Sequence, residues 1–169
     1  MSEEKIFLQR GYNTTEELEE FGVFPPEKMV KSKRVAIIEC VEDIPCNPCE
    51  YSCKLYGIVK ESFTKPGKVD WELCVGCAAC VVECPALAIF IQEISNGKGY
   101  VSLPYEMLPD PEIGKKVQML NRKGDFMGDG KIVAPTYQVT GIVFPRWVVT
   151  VEMDDPMSSY EVRAIRIPK

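Results

Sequence analysis

Cys74-Val75-Gly76-Cys77-Ala78-Ala79-Cys80-Val81-Val82-Glu83-Cys84-Pro85 is the stretch on which the reading of this chain turns. Its cysteines follow the spacing Cys74-x2-Cys77-x2-Cys80-x3-Cys84. An earlier group reads Cys40-x5-Cys46-x2-Cys49-x3-Cys53, and its last three members repeat the spacing of Cys77, Cys80 and Cys84. Cys40 stands three residues further upstream than a perfect copy would place it. The pattern is an internal duplication with a three-residue insertion in the first copy. These eight are all the cysteines of the chain.

Such spacing has a physical reason. A cube of iron and sulfide carries its irons at alternate corners. One loop reaches three of them if its cysteines are about three residues apart, with main-chain N–H groups aimed at the sulfurs. Gly76 suits that wrap because glycine accepts positive φ. The fourth iron points away from the loop and needs a thiolate from elsewhere. A disulfide framework would require an oxidising compartment, which nothing in the sequence signals. A zinc ribbon on Cys46-x2-Cys49 and Cys74-x2-Cys77 would leave four cysteines without a role. A single cluster, or a 3Fe–4S cluster in the altered first site, remains open at this point, with Cys40 the ligand on which it depends.

Composition narrows the function. The chain has 169 residues, 46% hydrophobic and 27% charged, which fits one folded domain with appendages and excludes disorder, collagen and coiled coil. A balance of 20 basic against 25 acidic residues, net charge -5, opposes a nucleic-acid footprint. Histidine is absent, which removes histidine-ligated zinc, haem and Rieske centres and the commonest catalytic base. No apolar run approaches the roughly 18 residues of a membrane span. The start, MSEEKIFLQR, lacks the apolar core of a signal peptide, so a cytoplasmic location is expected.

Three segments follow. Residues 1–34 form an N-terminal docking arm with short helices. There Thr14 is the expected N-cap and Glu17 its capping-box partner, Gly22 ends the helix, and Pro25-Pro26 opens a second turn through Val30. Residues 35–103 hold the cysteines. Strands are expected at Val35–Glu39 and Val69–Leu73, leading into Cys40 and Cys74, and apolar pieces follow each run at Gly57–Val59 and Ala86–Ile91. Each half then reads strand, cysteine loop, short helix, strand, and Asn96-Gly97 is a two-residue hairpin signal. Residues 104–169 carry short β-type runs at Lys116–Leu120, Gly130–Val133, Tyr137–Val143, Trp147–Glu152 and Arg163–Ile167, which suggest a small all-β barrel or sandwich. Asp155–Ser159 suits one helical turn. Gly124-x3-Gly128-x-Gly130 lacks the residues of a phosphate loop and reads as a turn.

The second run, closed by Pro85, matches the bacterial ferredoxin run at every position, and the two together resemble the dicluster ferredoxins. The resemblance implies an α+β, ferredoxin-like βαββαβ domain with two 4Fe–4S clusters. In that family the fourth cysteine of each run serves the other cluster. Carried over residue by residue, cluster I takes Cys40, Cys46, Cys49 and Cys84, and cluster II takes Cys74, Cys77, Cys80 and Cys53. Pro45 and Pro48 each remove an amide donor near Cys46, which would lower the potential of cluster I. Lys54 stands where that family usually has proline, and its charge would raise cluster II.

More narrowly, Ile38 to Cys53 and Val69 to Pro85, with the arm and the closing segment Val148–Ile167, resemble the small iron–sulfur subunits of FAD-containing amine and imino-acid dehydrogenases of the proline, hydroxyproline and sarcosine type. That resemblance implies a non-catalytic relay of single electrons between flavin sites, or to an external acceptor. FAD would sit in flavoprotein partner subunits of a hetero-oligomer. The alternatives are a stand-alone soluble ferredoxin and a catalytic iron–sulfur protein with an open iron at the Cys40 site. No nucleotide loop or radical-SAM spacing is present in the chain.

Overall fold

A computed structural model of the chain describes residues 10–138 and 146–168. The fold is α+β, with a mostly antiparallel sheet and few, short helices. No helix among the described residues is long and apolar enough to cross a membrane.

The arm begins with α1 (Thr15–Glu20), whose capping box is formed as read: the Thr14 side chain accepts from the Glu17 amide, and the Glu17 carboxylate accepts from the Thr14 amide. The chain turns out of the helix at Gly22, φ +67°. Pro26 caps α2 (Glu27–Ser32). Helices this short are marginal alone, and packing holds them. Leu18 and Val30 are fully buried, and Val30 joins Val35 and Ile94 in one apolar cluster. The Phe24 and Tyr160 rings meet edge to face at 5.7 Å. The described part of the arm therefore lies on its own chain.

Between residues 35 and 95 the elements run strand, helix, strand, strand, helix, strand. They are β1 (Val35–Ile38), α3 (Pro48–Ser52), β2 (Ile58–Lys60), β3 (Gly67–Val69), α4 (Ala79–Glu83) and β4 (Ile89–Ser95). β1 pairs antiparallel with β4, and β2 with β3. The strand expected over Val69–Leu73 stops at Val69. Asp70 diverts it, accepting from the amides of Glu72 (2.9 Å) and Leu73 (3.4 Å), and its own carbonyl takes the Cys74 amide at 3.0 Å. A short aspartate side chain that bonds its own backbone favours a turn over a ladder.

Asn96 (φ +53°) and Gly97 (φ +75°) make the hairpin from β4 into β5 (Lys98–Tyr105). The boundary read after residue 103 falls inside β5. Beyond it come β6 (Lys116–Leu120), β7 (Phe126–Gln138), β8 (Arg146–Met153), a 3₁₀ turn (Pro156–Tyr160) and β9 (Ala164–Arg166). The run read at Tyr137–Val143 lies outside the described residues after Gln138. The strands expected of a small barrel or sandwich continue the same sheet, ordered β1-β4-β5-β8-β7-β6-β9. Alternation along β4 divides its faces. Ile89 and Ile91 pack with the cysteine loops, while Phe90 joins the core of Val101, Leu103, Ile132, Val149, Val151 and Ile165 on the other side.

One buried ionic knot joins all three segments. Glu39, at the end of β1, accepts from Arg122 at 2.6 Å and from Arg163 at 2.7 Å. Arg122 also reaches Glu161 (2.9 Å), the Thr15 hydroxyl (3.1 Å) and the Tyr160 carbonyl (2.7 Å). Burial pushes the Glu39 carboxyl up, but Arg163 and Arg122 outweigh it and hold it below the usual carboxylate range. Removing one partner strands a buried charge, which costs about 3–5 kcal/mol. Glu39→Gln, which leaves the buried Arg163 without its ion-pair partner, is expected to destabilise by that amount in anaerobic denaturant titrations. Lys31→Ala, which breaks the exposed pair with Glu27, is expected to cost about 0.5 kcal/mol or less.

Candidate metal centre

Four main-chain turns carry the thiols. Cys40 follows β1, and Cys46 and Cys49 straddle the start of α3, where Pro48 takes the first helical position and lacks only an amide that the helix would leave unpaired. Cys53 ends that helix. Cys74 and Cys77 precede α4, Cys80 lies in it and Cys84 ends it. None of the eight is in a disulfide; Cys77 is exposed, Cys80 and Cys84 are buried, and the others are half-buried.

The cysteines fall into two sets around two cavities. One cavity, of about 50 Å³, is lined by Cys40, Cys46, Cys49 and Cys84, with Lys60 and Ile89. The other, of about 260 Å³, is lined by Cys53, Cys74, Cys77 and Cys80, with Lys54 and Gly76. Both exceed the roughly 10–15 Å³ that one water needs on the same measure. Each set takes three cysteines from one run and one from the other. A zinc ribbon on Cys46-x2-Cys49 and Cys74-x2-Cys77 would need those four thiols at one point, but Cys46 and Cys49 line one cavity and Cys74 and Cys77 the other. Four thiols around a larger void suit a cluster.

Electrostatics reflect the crowding. Burial pushes the Cys80 thiol up to about 12, and Cys74, Cys77, Cys49 and Cys53 push the same way. Burial also raises Cys40 and Cys49; the amides of Glu42 and Glu50 pull each back in part, and Cys84 and Cys46 add to the rise. Burial thus favours the protonated thiol at Cys40, Cys49 and Cys80, although Lys60 pulls the first two back in part, and a metal centre must displace those protons to be held.

Amide donors reach both sets. The Ala36 amide donates to Cys74 Sγ at 3.3 Å and that of Gly57 to Cys53 Sγ at 3.2 Å, both in the second set. In the first, the Ala88 amide donates to Cys84 Sγ at 3.4 Å. With Glu42 and Glu50 acting on Cys40 and Cys49, Pro45 and Pro48 do not leave the first set bare. The Cys46 amide is spent on the Phe63 carbonyl at 3.2 Å. Lys54 holds its ammonium 5.4 Å from the Tyr51 ring centre, at the edge of the second cavity.

Two residues at the site carry no sequence signal. Lys60, on β2, lines the first cavity and donates to the carbonyls of Cys46 and Phe63. Arg146, on β8, reaches the end of α4. Nothing in the local pattern marks either, because each meets the cysteines only through tertiary pairing. A further cavity of about 570 Å³ opens between the arm at Phe21–Val23 and β3, and touches the cysteines only at Cys40.

Comparison with known families finds a 4Fe–4S binding domain at residues 68–90, which contains all four cysteines of the second run. No curated protein matches the chain, and no solved structure does. An iron–sulfur, ferredoxin-type binding domain is thus present.

Gly76 lies in that domain at φ +64°. A Cβ there would stand 2.4 Å from the Arg34 Cβ and 2.8 Å from its carbonyl oxygen, so the loop sits directly against the residue that leads into β1. Gly76→Ala is expected to lower stability by about 1–3 kcal/mol from strain alone, more with the clash. Thermal unfolding under anaerobic conditions reads it, alongside loss of the visible iron–sulfur absorbance.

Proposed function

We propose that this chain is an electron-transfer protein with two 4Fe–4S clusters in a dicluster ferredoxin-like βαββαβ lobe. Cluster I is held by Cys40, Cys46, Cys49 and Cys84, and cluster II by Cys74, Cys77, Cys80 and Cys53. The observation that carries this is the sorting of the eight thiols into two four-cysteine cavities, each completed by the other run. Bound clusters would supply one-electron redox chemistry. The chain's own part is to hold them close together, to exclude water on the sheet side through Ile38, Ile89 and Ile91, and to direct amides at the sulfurs. Fully ligated cubes have no open iron, which suits relay over direct catalysis.

The proposed role is that of a relay subunit beside flavoprotein dehydrogenase subunits in the cytoplasm. Support comes from the apolar rim of the second cavity. Leu55, Leu73 and Val75 line it and are each about half exposed, around the exposed Cys77. A second reading has its own observation. Cys40 borders the 570 Å³ cavity as well as the first cavity, so an iron left open there would be reachable by a small molecule.

Anaerobically prepared protein is expected to be brown and to hold about eight irons and as many acid-labile sulfides per chain, as two cubes require. A colourless preparation, or one with zinc in place of iron, contradicts the reading. The relay role predicts co-elution with an FAD-containing partner whose substrate reduces the clusters. A monomer reduced only by free carriers favours the stand-alone ferredoxin. A cluster EPR signal that changes on adding substrate to the isolated chain favours the open iron.

A further inference from the structure

Arg146 is a buried cation that holds the backbone between Cys80 and Cys84. Its side chain is 5% exposed. One guanidinium nitrogen, Nη1, donates to the carbonyls of Val82 and Cys84, each at 2.8 Å, and more weakly to Val81 at 3.4 Å. Nε donates to Glu106 Oε1 at 2.6 Å, and Glu106 is 47% exposed. The three carbonyls belong to the end of α4, where a helix leaves its last acceptors unpaired. No residue of the helix's last turn is basic. The cation comes instead from β8, far along the chain.

The held span is the piece of backbone that serves both cavities. Cys80, just before Val81, lines the second cavity, and Cys84 lines the first. Cys84 is fixed at both ends: its carbonyl accepts from Arg146 at 2.8 Å and from the Leu87 amide at 3.3 Å, and its sulfur accepts from the Ala88 amide at 3.4 Å. A guanidinium is always charged and weakly hydrated, so it tolerates such a burial. Its field in a poorly screened interior favours whichever state nearby is more negative. For an iron–sulfur cluster that is the reduced state, so a fixed cation raises the potential.

We propose that Arg146 is a positioning and potential-setting residue: it clamps Val81–Cys84 and raises the reduction potential of the cluster that Cys84 completes, with Glu106 damping its field from the solvent side. The inference rests on the two-cluster reading above. It assigns to the strands after residue 104 a part in the redox chemistry, because β8 delivers the charge.

Three variants test it by EPR-monitored redox titration of the anaerobic full-length protein, with iron analysis of each sample. Arg146→Gln removes the charge and is expected to lower the potential of the first-cavity cluster. The shift is at least tenfold in the oxidised-to-reduced ratio at fixed potential, about 59 mV for one electron. Arg146→Lys keeps the charge but cannot span the same carbonyls. It is expected to hold the potential near the parent's while losing iron faster on warming. Glu106→Gln leaves Arg146 in place and unpaired, and is expected to shift the potential upward. If Arg146→Gln assembles no cluster, Glu106→Gln decides: an upward shift supports the inference, and no shift or a downward one overturns it. Intact clusters with an unshifted potential in Arg146→Gln, or Lys and Gln variants with the same potential, also overturn it while leaving the two-cluster reading standing. A parent protein without clusters overturns both.

Discussion

Four irons at alternate corners of a cube point in four directions, and one short loop can face only three of them. In the proposed two-cluster reading this geometric constraint governs how the lobe is built. A run of three closely spaced thiols needs a fourth from outside, and a duplicated run offers one in exchange. Here Cys84 leaves its own run for the first cavity and Cys53 leaves its own for the second. The short helices α3 and α4 are the connectors that make this exchange possible, since each ends at the cysteine that crosses. The two halves cannot separate without losing a thiol from each cavity.

The rest of the molecule fixes that exchange in place. β1 and β4 form the floor under the cysteine loops, with Ala36, Ile38, Ile89 and Ile91 turned towards them. Gly76 lets the second loop sit directly on Arg34. Glu39, next to Cys40, is tied by two buried arginines, one from the turn after β6 and one just before β9, and through Arg122 to Thr15 of the arm. Arg146 grips the end of α4 from β8. The segments outside the cysteine runs thus reach the first cavity twice: one anchor stands beside Cys40 and another holds Cys84, and both cysteines line it.

Local chemistry was legible in the sequence wherever a few adjacent residues decide the conformation. Thr14 with Glu17, the Asn96-Gly97 hairpin and the bounds of β6 all appear where their patterns place them. Cysteine spacing marks the two runs, because a short loop has few ways to wrap a cube, whereas the exchange of Cys53 and Cys84 between them was implied by the ferredoxin resemblance alone. Asp70 shows the limit: the apolar run from Val69 to Leu73 reads as a strand, but one carboxylate bonding two following amides ends it. Long-range pairing was not legible. Pro104 looks like a linker residue, yet it lies within β5 opposite Val148, which carries the sheet into the C-terminal strands. Glu39 and Arg146 read as ordinary charges, since their partners come from distant segments and leave no local period.

Diffraction from anaerobic crystals at the iron edge would locate the irons themselves. Two groups of anomalous peaks are expected, four irons in each, with Cys84 Sγ bound to the group among Cys40, Cys46 and Cys49, and Cys53 Sγ to the other. A single group of irons, or two groups in which Cys53 and Cys84 each stay with their own run, would contradict this arrangement.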